Sequence, residues 1–376
     1  MTQSHPFPPK LLTSRRGEKP VYSFNRMQKR LPKYHRTEES FQALANRRIT
    51  DRSLEIISYL SFYNILPSSL LVRLVEGNED ITYRHLQMLY HRKFINRFSF
   101  VNVLNPGEFH YYLDNTAALD LLVENDWAEP NDLDYDGVRR NREKNYSAIH
   151  EQVDEQQGRL LFLKHEADIS RFHAMLELGC RQSGGKIDLA DWRQGPELWN
   201  SVTVPRVKFD QQTDLWGEQK DTEKLPHRPD AFFTLRSADR PEGERDCHFF
   251  YERDRKTTTD RKRIVRKLRS HFHYVVKQRL HESDYGIKRV RAVLVETVDD
   301  EWAMHLREIS AHPLVSGRQA SPLFWFTTSR LFEFGPDKDE ATRYAKRKDF
   351  FISHPEIIFH PLWATPVDDS LYSLLD

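Results

Sequence analysis

Cysteine is almost missing from this chain of 376 residues, which holds only Cys180 and Cys247. Two thiols cannot build a disulfide framework or a cysteine-rich zinc site, so a reduced, cytoplasmic protein is expected. Glycine is sparse as well, at 14 residues. Neither a Gly-x-x-x-x-Gly-Lys-Ser/Thr loop nor a Gly-x-Ser-x-Gly elbow occurs, which sets aside P-loop ATP hydrolysis and the α/β-hydrolase nucleophile. No apolar run approaches the roughly 20 residues of a membrane-spanning helix. No apolar h-region follows Met1, so neither a membrane nor a secretory leader is expected. His165, Glu166 and Asp168 lie close together but match no His-Glu-x-x-His spacing, and capping or core-edge roles suit them better. No histidine triad accompanies Tyr111 and Tyr112, which argues against relaxase-type tyrosine nucleophiles.

A net charge is missing too: 57 Lys+Arg stand against 56 Asp+Glu. The sum hides segregation. Residues 1–37 carry Lys10, Arg15, Arg16, Lys19, Arg26, Lys29, Arg30, Lys33 and Arg36 against the single acid Glu18. Residues 253–291 are strongly basic, their acids being Asp254, Asp260, Glu282 and Asp284. Residues 114–137 are acidic, with Asp114, Asp120, Glu124, Asp126 and Glu129 among them and no Lys or Arg. Charge sorted into blocks suits a polyanion partner.

Residues 1–44, with Pro6, Pro8, Pro9, Pro20 and Pro32 and no apolar periodicity, read as a basic, disordered arm. From 45 to 124 the pattern changes. Thr50 or Asp51 caps a helix with Leu54, Ile57, Tyr59 and Leu60 at helical spacing. Pro67-Ser68 opens a second helix closed by Gly77, and Asp80 caps a third, Ile81–Lys93. A β-rich run, Phe94–Phe100, the turn Asn105-Pro106-Gly107, a return strand Glu108–Leu113 and a helix Thr116–Val123 come next. Three helices and a hairpin predict a winged helix-turn-helix, whose third helix enters the major groove of double-stranded DNA. Its outward residues would be Thr82, Tyr83, Arg84, Gln87 and Arg92. A winged helix that contacts protein is the alternative.

Residues 125–155 are polar and read as a linker, and 156–376 as a second, α/β domain. Gly158–Cys180 reads as a long helix. Pro229-Asp230 precedes the run Ala231–Leu235, and a polar loop separates it from Cys247–Asp254. The two runs predict a hairpin that brings Asp230 near Glu252, with Phe250, Glu252 and Asp254 on one face. A basic amphipathic helix, Thr259–Leu280, buries Ile264, Leu268, Phe272, Val275 and Val276. It exposes Lys262, Arg263, Arg266, Arg269 and Lys277, of which Lys262, Arg266 and Arg269 are expected to meet DNA, while Lys267 and His271 flank the stripe. A strand at Val290–Val295, a helix near Glu301–Ile309 and a strand at Phe324–Thr328 complete a core with a mixed central sheet, α/β in class.

Pro-Asp, a hairpin, a Glu after an apolar strand and a helix behind it resemble the PD-(D/E)xK nuclease fold. That resemblance implies Asp230 and Glu252 as ligands of a divalent metal. Where the family has a Lys two residues after the Glu, this chain has Asp254. Three carboxylates on converging surfaces repel one another unless a cation relieves them, and would suit Mg²⁺ or Mn²⁺ with Asp230, Glu252 and Asp254 as ligands. The positive group must then come from elsewhere; Lys267 is the best substitute and Lys256 the next. The order of winged helix, Leu163-Lys164-His165, Arg228-Pro229-Asp230, Phe249-Phe250-Tyr251-Glu252-Arg253-Asp254 with Thr257, and Lys267-Leu268 before Tyr274 is similar to the replication-relaxation family of plasmid and mobile-element proteins. This likeness spans roughly residues 45–330. It departs at Arg255-Lys256-Thr257, where a Gly before the Thr is expected.

The resemblance implies a DNA-binding protein of a plasmid, phage or other mobile element, acting in replication or DNA relaxation and nicking or cutting with Mg²⁺. A second reading is a catalytically inactive replication or transcription regulator without a cofactor. A third is an adaptor for a replication or transposition protein, using the acidic 114–137 segment and the aromatics Phe350, Phe351, Phe359 and Trp363.

Overall fold

The computed structural model describes residues 44, 46–99, 108–140, 156–210, 215–317, 320–334 and 354–376. The expected basic arm, the Asn105-Pro106-Gly107 turn, residues 141–155, Phe350 and Phe351 lie outside the described residues. The protein mixes α and β structure, and its contacts divide it into two units, one within Arg15–Leu178 and one within Gly179–Asp376.

The first unit opens with helices α1 (Asp51–Tyr63), α2 (Ser68–Leu74) and α3 (Glu79–His91). Leu54, Ile57 and Leu60 are buried, as their spacing predicts. The start of α3 differs from expectation. Its cap is Asn78, whose side chain accepts from the Ile81 N–H at 3.1 Å, which leaves Glu79 and Asp80 in the first turn, where carboxylates complement the helix dipole. Thr82 lies four and seven residues before the buried Leu86 and Leu89 and so shares their inward face. It is fully buried, its hydroxyl donating to the Asn78 carbonyl at 3.2 Å and accepting from Arg52 Nη1 at 3.1 Å, so Thr82 is not a surface residue.

Strands β1 (Leu66–Pro67), β2 (Ile95–Ser99) and β3 (Phe109–Leu113) form an antiparallel sheet in the order β1-β3-β2, and α4 (Ala117–Glu124) comes after it. The two-residue β1 is too short to show a period in the sequence. Tyr111 and Tyr112 both lie in the core. The expected linker is partly built: residues 130–132 and 135–140 are helical, and Tyr135 OH donates to Asp120 Oδ1 at 3.0 Å. Helix α5 (Gln156–Gln182) packs Leu163 and Ala167 against Ile65, Phe98 and Tyr112.

In the second unit, β4 (Ile187–Gln194), β7 (Ala231–Ser237), β8 (Asp246–Arg253), β9 (Ala292–Thr297), β10 (Phe324–Thr328), β11 (Trp363–Ala364) and β12 (Leu371–Tyr372) form one mixed sheet. Its order is β12-β11-β10-β9-β8-β7-β4; β8, β9 and β10 run parallel, and the other neighbours are antiparallel. Strands β5 (Asn200–Asp210) and β6 (Leu215–His227) pair separately as a long ribbon. The β7–β8 hairpin forms as expected, with Ala231 opposite Tyr251. Phe359 and Trp363 are buried in this unit, so they are not the exposed aromatic surface expected of an adaptor.

The basic helix is shorter than its pattern implies. Regular α6 (Arg261–Phe272) gives way to a π-helical turn at His273–Lys277, Arg279 adopts φ +51°, and α7 (Leu280–Tyr285) begins afresh. A π turn holds one extra residue and so shifts the helical phase beyond it. Val275 stays buried but Val276 comes out to 45% exposure, against its expected place on the apolar stripe. Ile264, Val265, Leu268 and Phe272 join Phe250, Val293 and Val295 of the sheet and Trp302 of α8 (Asp300–Ser310) in one cluster. At about 1.5–3 kcal/mol for each such side chain, this burial fixes α6 over β8.

Candidate functional site

Pro229 and Asp230 lie at the mouth of β7, where the chain leaves the β5–β6 ribbon. The Asp230 N–H donates to the Tyr251 carbonyl at 3.0 Å, and its Oδ2 accepts from the Arg253 N–H at 2.7 Å. Asp230 is thereby clamped across the end of β8, beside Glu252. Glu252 is only 2% exposed, although it sits near the end of its strand. A lone carboxylate so placed would be costly, and here it is partnered on both oxygens. Lys267 and His271, four residues apart on α6, share one helix face and both reach down to it. The Lys267 ammonium meets Oε2, and His271 Nε2 lies 2.7 Å from Oε1.

Asp254 lies just beyond β8. Its N–H donates to the Glu296 carbonyl at 2.9 Å, and its Oδ1 accepts from the Lys256 N–H at 2.7 Å and Trp302 Nε1 at 2.9 Å. All three carboxylates act on one ammonium. Burial opposes the charge of Lys267, but Glu252, Asp230 and Asp254 outweigh it and hold its pKa above the ordinary lysine value. Lys267 therefore stays cationic throughout the neutral range. Burial, with the nearby Lys267 charge adding to it and Asp230 opposing, pushes His271 down to about 3, so this ring is neutral. On the other face of β8, Arg253 Nη1 donates to the Glu296 carbonyl at 3.1 Å, and Tyr251 OH to Glu296 Oε2 at 2.9 Å. That buried polar group keeps Arg253 away from Glu252, as strand alternation requires.

The structure thus brings Asp230, Glu252, Asp254 and Lys267 together. Lys256 goes elsewhere: its Nζ is 3.4 Å from Asp299 Oδ2 and 5.2 Å from the centroid of the Trp302 ring. Among the described residues, no three His, Cys, Asp or Glu side chains already stand as a group able to hold a metal. Carboxylate oxygens are the donors a hard cation takes, but in this structure the Lys267 ammonium stands among them.

Of the residues expected to meet DNA, Tyr83, Arg84, Gln87 and Lys262 are exposed. Arg92 Nη1 donates to the Arg47 carbonyl at 2.8 Å, and its guanidinium lies 5.1 Å from the Phe94 ring. Arg266 pairs with Glu223 at 2.8 Å. Arg269 departs from its expected place on the surface. It is 1% exposed and donates to Glu218 Oε1 at 3.0 Å, the Pro205 carbonyl at 2.9 Å and the Leu314 carbonyl. The periodic wheel puts it opposite the stripe, but the β5–β6 ribbon covers that side of α6.

Two features have no clear mark in the sequence. His227, last residue of β6, places Nε2 at 3.1 Å from His271 Nδ1. The four-residue step from Lys267 is a signal for His271; nothing local marks His227. Trp199, 53% exposed, carries the Arg228 guanidinium 4.9 Å from its ring centroid, two residues before Asp230.

No family model, curated protein or solved structure matches this chain.

Proposed function

We propose that this chain is a DNA-binding protein of the replication and relaxation type found on plasmids and other mobile elements. In this reading the second unit has a PD-(D/E)xK-like fold with a divalent-metal centre that nicks or cuts DNA. One observation carries it: the ammonium that the strand motif lacks at Asp254 is supplied by Lys267 from α6, among Glu252, Asp230 and Asp254. A lysine brought in from the helix restores the charge balance that the Asp would otherwise upset.

Asp230, Glu252 and Asp254 would hold Mg²⁺ or Mn²⁺, whose chemistry when bound is to lower the pKa of water and stabilise charge on phosphate oxygens. Lys267, being cationic, donates hydrogen bonds to a phosphate oxygen or to the attacking water and does not act as a base. His271 holds the Glu252 carboxylate from behind. The first unit reads as a winged helix-turn-helix, with Tyr83, Arg84 and Gln87 on the exposed side of α3 directed to the major groove and Arg92 to the backbone. Lys262 and the half-exposed Arg266 add phosphate contacts, so affinity falls steeply with salt.

The test is incubation of supercoiled plasmid with Mg²⁺ or Mn²⁺, beside Glu252→Ala. Metal-dependent nicking or linearisation by the wild-type chain alone supports the reading. A specific observation favours a second one, a regulator without catalysis. Glu252 is occupied on both oxygens by Lys267 and His271, a satisfied state that needs no ion. Salt-sensitive DNA binding with no cleavage by either protein would select it.

A further inference from the structure

The two faces of the β5–β6 ribbon differ in character. Strand alternation turns Val202, Val204, Leu225 and His227 inward, where they are buried on the side of α6. Two ribbon acids are drawn to that helix as well: Glu218 accepts from Arg269 at 3.0 Å, and Glu223 pairs with Arg266 at 2.8 Å. The other face is basic. Lys224 stands opposite Thr203 and Lys208 opposite Gly217, all four exposed. The register shift between Pro205 and Val207 adds Arg206 and Lys220, exposed too. Trp199 and Arg228 continue the outer face one step past the Asn200–His227 pair. There the Arg228 guanidinium lies 4.9 Å from the indole centroid, yet Trp199 keeps 53% of its surface open. Among the described residues no carboxylate pairs with Arg206, Lys208, Lys220, Lys224 or Arg228. Of the acidic side chains described between residues 196 and 228, only Glu197 and Asp221 are not drawn to α6.

We propose that the outer face of this ribbon binds single-stranded DNA, with an unpaired base stacked on Trp199 and the phosphates met by Arg228, Lys224 and Lys208. A duplex hides the faces of its bases, so an exposed indole gains by stacking only where bases are unpaired. An open aromatic face beside cations that lack acidic partners is the combination that holds a single strand with little regard to sequence. Arg228 serves both parts: its plane steadies the indole, and its charge stays available to a phosphate. The spacing suits an extended strand, since Arg228 and Lys224 are about 14 Å apart along extended backbone. Asp230 follows Arg228 by two residues, at most about 7 Å of chain, so the stacked base belongs to a nucleotide close to the carboxylate cluster. The inference rests on the reading that this chain binds DNA. It adds the form of DNA that the second unit holds, and it needs neither a metal nor cleavage.

The experiment is fluorescence anisotropy of a labelled oligo-dT strand and of a labelled duplex with the full chain, over a salt series and with EDTA present. Trp199→Ala should weaken oligo-dT binding about tenfold, the scale of one lost base stack, and leave duplex affinity within about twofold of wild type. Trp199→Phe, which keeps an aromatic face, should recover most of the loss. The double variant Lys208→Ala, Lys224→Ala should weaken oligo-dT binding and reduce its salt slope by about 1.4, at about 0.7 for each phosphate contact on a single strand. Arg84→Ala, on α3, should weaken duplex binding and spare oligo-dT. All of these side chains are exposed, and the urea midpoint of each variant should match wild type. An oligo-dT affinity unchanged in Trp199→Ala, or lost equally on the duplex, overturns the proposal while duplex binding by the first unit stands. A Trp199-dependent preference for oligo-rU over oligo-dT overturns the assignment to DNA. A wild-type chain that binds neither strand form overturns both this inference and the DNA reading on which it rests.

Discussion

Arg269→Met separates the two roles open to a basic residue on α6. Its guanidinium serves the Pro205 and Leu314 carbonyls and Glu218, and the residue is 1% exposed. Methionine keeps much of the apolar stem but donates nothing. Two carbonyls lose their donor in the interior, at about 1–3 kcal/mol each. The Glu218 side chain is half exposed, regains water and adds little. The sum, about 2–6 kcal/mol, is a large share of the roughly 5–15 kcal/mol typical of a folded domain. Urea unfolding monitored by circular dichroism should show the midpoint of the second unit falling sharply with its slope unchanged. DNA affinity, measured by fluorescence anisotropy without urea, should stay within about twofold of wild type, because a buried guanidinium makes no phosphate contact. Lys262→Met should do the reverse. An Arg269→Met chain with an unchanged midpoint and markedly weaker DNA binding would refute the buried clamp.

On α3, Arg84→Ala should weaken DNA binding and reduce the salt slope by about one while leaving stability alone. Thr82→Val should cost about 1 kcal/mol in unfolding, through its lost bonds to Asn78 and Arg52, and leave the salt slope unchanged. Acid should destabilise both units. Burial pushes His173 of the first unit and His271 of the second down to about 3, with His227 also lowered well below its ordinary value. The unfolded chain then binds more protons than the folded one between about pH 6.5 and 3, so the contribution is complete above pH 6.5 and is lost as pH falls through that window. Urea midpoints at pH 7 and pH 5 check this; equal midpoints would count against buried neutral histidines.

Much of the architecture is legible in the sequence because it rests on local chemistry. Apolar spacing marks α1, the β-rich runs mark β7 and β8, and the aromatic and β-branched run Phe324–Thr328 matches β10 residue for residue. Strands β4, β5 and β6 are not legible in this way. Asp188 and Asp191 interrupt the apolar pattern of β4, and β5 and β6 form a ribbon with many polar exposed positions and Pro205 within it. Without the ribbon, Arg269 looks solvent-facing and His227 has no address. The carboxylates and Lys267 can be read from spacing, since a strand alternates and a helix repeats every three to four residues. The His227–His271 contact joins residues 44 apart in sequence through tertiary packing, which no local pattern encodes.

If Lys267 stands in for the strand lysine that Asp254 displaces, its charge must matter to the chemical step more than to binding. Single-turnover cleavage of plasmid DNA with Mn²⁺ by wild type and Lys267→Met reads this out, with Mn²⁺ and DNA binding measured on the same preparations. Loss of one preorganised charge facing the reacting phosphate should slow cleavage by about 10²–10³-fold while both affinities change only a few-fold. Cleavage at the wild-type rate by Lys267→Met would remove Lys267 from the reaction.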